Sequence, residues 1–137
     1  MLFEGPIWAI GCGNMAGAML RRWLATGLDP AQLTIVRKSG ARFADGVAVL
    51  AAPPPDGAVP ALVLLGVKPQ MLDLVAPALA PLLAPETLLV SILAGVELAT
   101  LRARFPAPRA IVRAMPNTPV AIGAGVVALC ADGPADR

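Results

Sequence analysis

The chain has 137 residues, 57% of them hydrophobic and 15% charged, with a formal net charge of +2. That length suits one compact domain able to bury roughly two-thirds of the surface its unfolded form exposes, and such hydrophobicity excludes a disordered chain. The charge is too weak and too scattered for a nucleic-acid footprint. The absence of histidine excludes imidazole acid–base chemistry and His-ligated metal sites, so no metal is expected.

Residues 6–10 form a short apolar run that stops at glycine, as a fully buried strand does. Helix formers take over from Met15 to about Thr26, with Gly27 as the stop. Met15, Met19 and Trp23, four residues apart, set one apolar face for packing on a sheet. A second strand is expected over 33–36. Residues 37–46 carry glycine at 40 and 46 and hold at most a helical turn or two, before a short third strand over 47–50. Pro53-Pro54-Pro55-Asp56-Gly57 is a breaker cluster in a surface loop.

Residues 61–65 are continuously apolar, as in a central parallel strand. Pro69 then opens a helix that begins near Gln70 and reaches about Leu83, split or kinked by Pro77 and Pro81. A strand over 87–92, a helix over 96–105 and a strand over 110–114 follow. After them come a stiff loop, Met115-Pro116-Asn117-Thr118-Pro119, a final strand over 126–129 and a polar tail. Strands alternating with short helices predict an α/β, Rossmann-like single domain: a mainly parallel sheet with helices on both faces. The dinucleotide-binding domain is expected over 1–130, and the polar tail over 131–137.

Cys12 and Cys130 have no metal-type spacing and make no disulfide framework, so both read as small apolar packing residues. The N-terminus lacks the basic region of a signal peptide, and apolar stretches such as 120–131 fall short of the about 18 residues a spanning helix needs. A cytoplasmic protein without membrane or nucleic-acid partners is expected.

The chemistry-bearing motif is Gly11-Cys12-Gly13-Asn14-Met15-Ala16, a G-x-G-x-x-A sequence between a buried strand and a helix. Gly11 would allow the tight turn, Gly13 would let backbone approach a pyrophosphate, and Ala16 would keep helix close to strand. N–H groups at the helix start would receive the negative oxygens. The same residues also fit a tight turn without ligand.

An NAD site usually places an acid at the end of the second strand. This chain has Arg37-Lys38-Ser39 there, which suits a 2′-phosphate. NADP(H) is therefore favoured with NAD(H) possible, the alternative for these residues being a solvated basic turn. Gly66-Val67-Lys68-Pro69 and Ala94-Gly95 follow the carboxyl ends of later strands, where open sheets bind ligands. Val67, Lys68, Pro69, Ala94 and Gly95 are accordingly cofactor-lining candidates, although the Lys68 stem could equally lie along the surface. Asn117, held between prolines, is placed near the nicotinamide or substrate, or else satisfies its own loop.

Taken in order, Ile10-Gly11-Cys12-Gly13-Asn14-Met15, Val67-Lys68-Pro69-Gln70, Ser91-Ile92-Leu93-Ala94-Gly95-Val96 and Arg113-Ala114-Met115-Pro116-Asn117-Thr118-Pro119 resemble the motifs of the pyrroline-5-carboxylate reductase family. Gly123-Ala124-Gly125 also falls where that family has a glycine-bearing turn. Ala16 departs from the usual third glycine, and the 40–61 stretch is short, as if a family helix were reduced or lost.

The resemblance implies an N-terminal NAD(P)H-binding domain of an enzyme that reduces the C=N bond of a cyclic imine acid to give proline. No catalytic residue of this chain is implied beyond Asn117 near the nicotinamide. A helical C-terminal domain would form the homo-oligomer and much of the substrate pocket, and the 131–137 tail would begin the linker to it. Such a chain alone would bind cofactor with weak or no turnover. The cofactor motifs are also compatible with a related imine, hydroxy-acid or deazaflavin reductase, and with a non-catalytic nucleotide-binding protein.

Overall fold

The computed structural model describes residues 4–54, 57–116 and 127–132. Its strands are β1 (Ile7–Ile10), β2 (Leu33–Val36), β3 (Ala48–Leu50), β4 (Leu62–Leu65), β5 (Leu88–Ser91), β6 (Ala110–Pro116) and β7 (Val127–Asp132). Its helices are α1 (Asn14–Ala25), α2 (Leu72–Leu79) and α3 (Leu98–Arg104). The strands form one sheet in the order β3-β2-β1-β4-β5-β6-β7. The first six are parallel, and β7 runs antiparallel to β6. This order reverses between β1 and β4, the switch point at which doubly wound sheets open a crevice at their carboxyl edge.

Period-two alternation sorts the central strands onto two cores. Ile7 and Ala9 of β1 and Leu62 and Leu64 of β4 face α1, joined by Ala16, Met19 and Leu20. Trp8 and Ile10, with Val63 and Leu65, face α2 and α3, meeting Leu72, Ala76, Leu79, Leu101 and Phe105. Both faces of the central strands are thus covered, which explains why these segments read as unbroken apolar runs. On α1 the buried stripe is Ala16, Met19 and Leu20, with Trp23 and Leu24 partly buried. Met15 is half-buried at the rim and not on that core face, a shift of one position from the expected Met15–Met19–Trp23 stripe.

The β2–β3 crossover has no helix. Phe43, 8% exposed, plugs the α1-side core in its place, with its ring edge over Gly17. The expected helix over 70–83 resolves into a 3-10 turn (Pro69–Met71), α2 and a second 3-10 turn (Ala80–Leu82). Pro77 stays inside α2, while Pro81 falls in the closing turn. The helix expected over 96–105 is shortened to α3, capped by extended Glu97. Met115 and Pro116, expected in a loop, continue β6, and β7 runs through Asp132, two residues into the expected tail. Among the described residues no helix is long and apolar enough to cross a membrane.

Candidate dinucleotide site at the carboxyl edge

Four turns converge where β1, β2, β4 and β5 end. The ladder continues for one residue beyond the strands: Gly11 N–H donates to Val36 O (2.9 Å), Gly66 N–H to Ile10 O (2.9 Å) and Ile92 N–H to Leu65 O (3.1 Å). The loops after these strands therefore start from a rigid edge.

Gly11 and Gly13 are glycines for different reasons. Gly11 has φ +79°, and a Cβ there would stand 2.8 Å from Val67 Cγ1 and 2.9 Å from Val67 N. Turn geometry and the packed β4 loop both demand glycine. Gly13 has φ −83° and ψ −166°, open to any residue, and a Cβ there would meet nothing within 4 Å. The fold does not require glycine at 13.

Gly13 is the N-cap of α1, whose first helical bond runs from Gly17 N–H to Gly13 O (2.9 Å). The N–H groups of Asn14, Met15 and Ala16 come before that bond, no side chain caps them, and no acid sits in the first turn. The helix start thus presents donors and a positive dipole end. Ala16 is buried, and a Cβ at Gly66 would lie 3.1 Å from its methyl. The glycine that lets α1 approach the sheet has in effect moved from position 16 to position 66, across the interface.

Two cavities flank the ridge made by Gly11 and Arg37. One, of about 360 Å³, lies between α1 and the β2–β3 crossover and is lined by Cys12, Gly13, Asn14, Arg21, Arg37 and Phe43, with Gly17 and Ala18 as its floor. The other, of about 370 Å³, is a mostly apolar crevice between the end of β2 and α2. Gly11, Val36 and Val67 line it together with Met71, Leu74 and Val75, and Arg37 and Lys38 add to its lining. Its apolar walls suit a flat heteroaromatic ring.

Arg37 joins both spaces. One guanidinium nitrogen donates to Ala41 O, while its Nε is buried without a hydrogen-bond partner among the described residues. One arm of the guanidinium is thus tied to the crossover. Ser39 Oγ accepts from Ala41 N–H (3.4 Å) in a local turn and lines neither cavity. Burial pushes the Cys12 thiol above its ordinary value, with Arg37 and then Arg21 pulling the other way.

Lys68 and Pro69 are exposed, with Lys68 O accepting from Met71 N–H (2.8 Å) to start the 3-10 turn. Ala94 and Gly95 form an exposed turn at the same edge, after Ser91 Oγ accepts from Leu93 N–H (3.2 Å). None of these four lines either cavity. Asn117 falls outside the described residues.

The motif alone did not reveal Arg21 and Phe43. Helical spacing carries the signal for Arg21: Asn14, Gly17, Ala18 and Arg21 stand at i, i+3, i+4 and i+7, one stripe facing the crossover.

A switch-point crevice, a glycine turn and an uncapped helix start define a dinucleotide-binding domain of Rossmann type. The family model described as "NADP oxidoreductase coenzyme F420-dependent" matches residues 6–95. The pyrroline-5-carboxylate reductase of Pseudomonas aeruginosa is 40% identical over 131 residues, covering 90% of this chain and 47% of that protein. That of Synechocystis is 41% identical over 129 residues, covering 90% and 48%.

Among solved structures, the Coxiella burnetii pyrroline-5-carboxylate reductase superposes with a TM-score of 0.77 at 29% identity, covering 97% of this chain and 52% of that one. The Plasmodium falciparum pyrroline carboxylate reductase, solved with NADP bound, shares the fold with a TM-score of 0.82 at 19% identity, covering 97% and 50%. The chain belongs to this oxidoreductase family and, within it, to the N-terminal domain of the pyrroline-5-carboxylate reductases. It spans about half the length of the relatives it matches.

Proposed function

We propose that this chain is the NADPH-binding half of a cytoplasmic pyrroline-5-carboxylate reductase, acting with a second, helical domain to reduce the C=N bond of a cyclic imine acid. The observation that carries the reading is Gly13: a glycine the fold does not need, opening space over the uncapped start of α1. The buried Arg37 Nε without a partner supports it further, since an orphaned donor of this kind is costly unless a ligand meets it.

In this reading the N–H groups at the start of α1 hold the diphosphate, with Gly13 leaving room for its oxygens. Val67 and Met71 sandwich the adenine in the apolar crevice, and Arg37 spans from adenine to the 2′-phosphate. The turns at Lys68 and Gly95 lead the dinucleotide along the sheet edge toward the end of β6. When bound, the cofactor supplies a hydride equivalent to an already electrophilic carbon. The chain's task is then orientation and exclusion of water, which needs no histidine.

The relatives' names favour this substrate over a hydroxy acid or a deazaflavin, and the matched family model ends within the cofactor half common to all three. The test is oxidation of NADPH by the full-length enzyme with 1-pyrroline-5-carboxylate, alongside NADPH titration of this chain. Binding by the chain and turnover only by the full-length enzyme are expected. Full-length enzyme inert toward the imine would refute the substrate, and absence of NADPH binding would refute the cofactor.

A further inference from the structure

We propose that Arg21, two turns into α1, is a second specificity determinant for the cofactor's 2′-phosphate, facing Arg37 across the cavity between α1 and the β2–β3 crossover. This rests on the NADPH reading and adds a residue that the glycine motif does not contain.

Arg21 is held in place. Its guanidinium carbon lies 4.1 Å from the centroid of the Phe43 ring, and Nη1 donates to Phe43 O (3.4 Å). Phe43 is itself anchored in the core, so the stack fixes the arginine against the crossover. An arginine carries five donors in a planar fork, and one carbonyl uses few of them. The remainder borders the cavity together with Arg37, the Gly13 turn and Asn14.

The charge balance of this wall is unusual. It carries two guanidinium groups and no carboxylate among the described residues that line it. Arg42, further along the crossover, pairs with Asp45, whereas among the described residues Arg21 meets the ring and carbonyl of Phe43, Arg37 meets the carbonyl of Ala41, and neither meets a carboxylate. Both arginines act on the Cys12 thiol between them, so their fields overlap inside the cavity. Two like charges sharing a partly enclosed space repel, and a phosphate near its dianionic form relieves that repulsion while offering three acceptor oxygens. Gly17 and Ala18 keep the floor between the two arginines low. Lys38, the neighbouring cation in sequence, lines the apolar crevice instead. The cation opposite Arg37 is thus supplied by the helix.

The test is calorimetric titration of the wild-type chain, Arg21→Gln and Arg21→Lys with NADPH, NADH and 2′,5′-ADP, with melting temperatures recorded alongside. Loss of one charge-assisted contact predicts that Arg21→Gln weakens NADPH and 2′,5′-ADP roughly tenfold or more and NADH less than twofold. Arg21→Lys should recover part of that selectivity. Should Arg21→Gln melt too low to titrate, a reduced NADPH-to-NADH affinity ratio in Arg21→Lys supports the assignment, and an unchanged ratio overturns it. Equal losses for NADPH and NADH in Arg21→Gln would make Arg21 a mere clamp on the crossover. Unaltered selectivity would also overturn the assignment while leaving the cofactor reading intact. A wild-type chain that binds neither dinucleotide would overturn both.

Discussion

Replacing Gly13 with valine should separate binding from folding. Position 13 has an extended backbone open to any residue, and a Cβ there touches nothing within 4 Å. The expected stability cost is the poorer N-cap alone, about 1 kcal/mol, or about 4 °C in melting temperature for a domain of this size. Gly11→Ala is the contrast. At φ +79° a side chain incurs the left-handed penalty and meets Val67 N at 2.9 Å, backbone that cannot swing aside. That substitution should cost about 2 to 4 kcal/mol and lower the melting temperature by roughly 7 °C or more.

Cofactor affinity should show the reverse emphasis in Gly13→Val. A branched side chain over the start of α1 keeps the diphosphate from at least two backbone donors, each worth about 1.5 kcal/mol or more to a charged acceptor. The loss is on the order of a hundredfold in NADPH affinity. Thermal melts and NADPH titrations of both variants make the assay. A Gly13→Val protein that binds NADPH within threefold of wild type would refute the reasoning, as would one that melts lower than Gly11→Ala.

Four further outcomes are expected. Arg37→Ala should weaken NADPH roughly tenfold more than NADH in parallel titrations, because only NADPH carries the 2′-phosphate; equal losses would count against the basic-end assignment. The Cys12 thiol, raised by burial, should alkylate slowly at neutral pH and accelerate only above its ordinary range, with NADPH protecting it, as read by mass spectrometry of iodoacetamide-treated protein. The sign for stability follows: its contribution is full below the unfolded thiol's pKa and is lost as pH rises through the raised folded value, so Cys12→Ala should flatten alkaline destabilisation in pH-dependent melts. Phe43→Ala should cost about 3 kcal/mol by emptying the plug of the α1-side core, and should lower NADPH selectivity by removing the perch of Arg21, measurable by denaturant unfolding and titration.

Much of the fold was legible because strand and helix periods differ. The unbroken apolar runs ending at Ile10 and Leu65 marked buried parallel strands, and a glycine marked the exit of each, whereas β2 carries Thr34 and leads straight into Arg37. The helix-free crossover was legible from Gly40 and Gly46, although the role of Phe43 was not, since nothing local distinguishes a plug from a loop aromatic. Strand direction was illegible at β7: alternation says which residues share a face and nothing about parallel or antiparallel pairing. The Met15–Met19–Trp23 stripe missed by one position because two successive spacings of four residues drift around a helix of 3.6 residues per turn, leaving Met15 at the rim.

The candidate site divided in a similar way. Glycine positions could be read from turn chemistry, yet the distinction between Gly11, which the fold requires, and Gly13, which it does not, needed the position of Val67 in space. Arg37, Lys38 and Ser39 look equivalent as a basic run. Strand geometry sends Arg37 to the ridge, Lys38 to the apolar crevice and Ser39 into a local turn. Arg21 is recoverable from helical spacing only once the crossover is known to lie beside α1.

A crystal structure grown with NADP tests the central claim most directly. Diphosphate oxygens are expected at about 2.7–3.2 Å from backbone N–H groups at the start of α1, with adenine in the crevice beside Val67 and Met71 and the 2′-phosphate between Arg21 and Arg37. A dinucleotide bound elsewhere, or one whose diphosphate leaves the start of α1 to water, would contradict that claim.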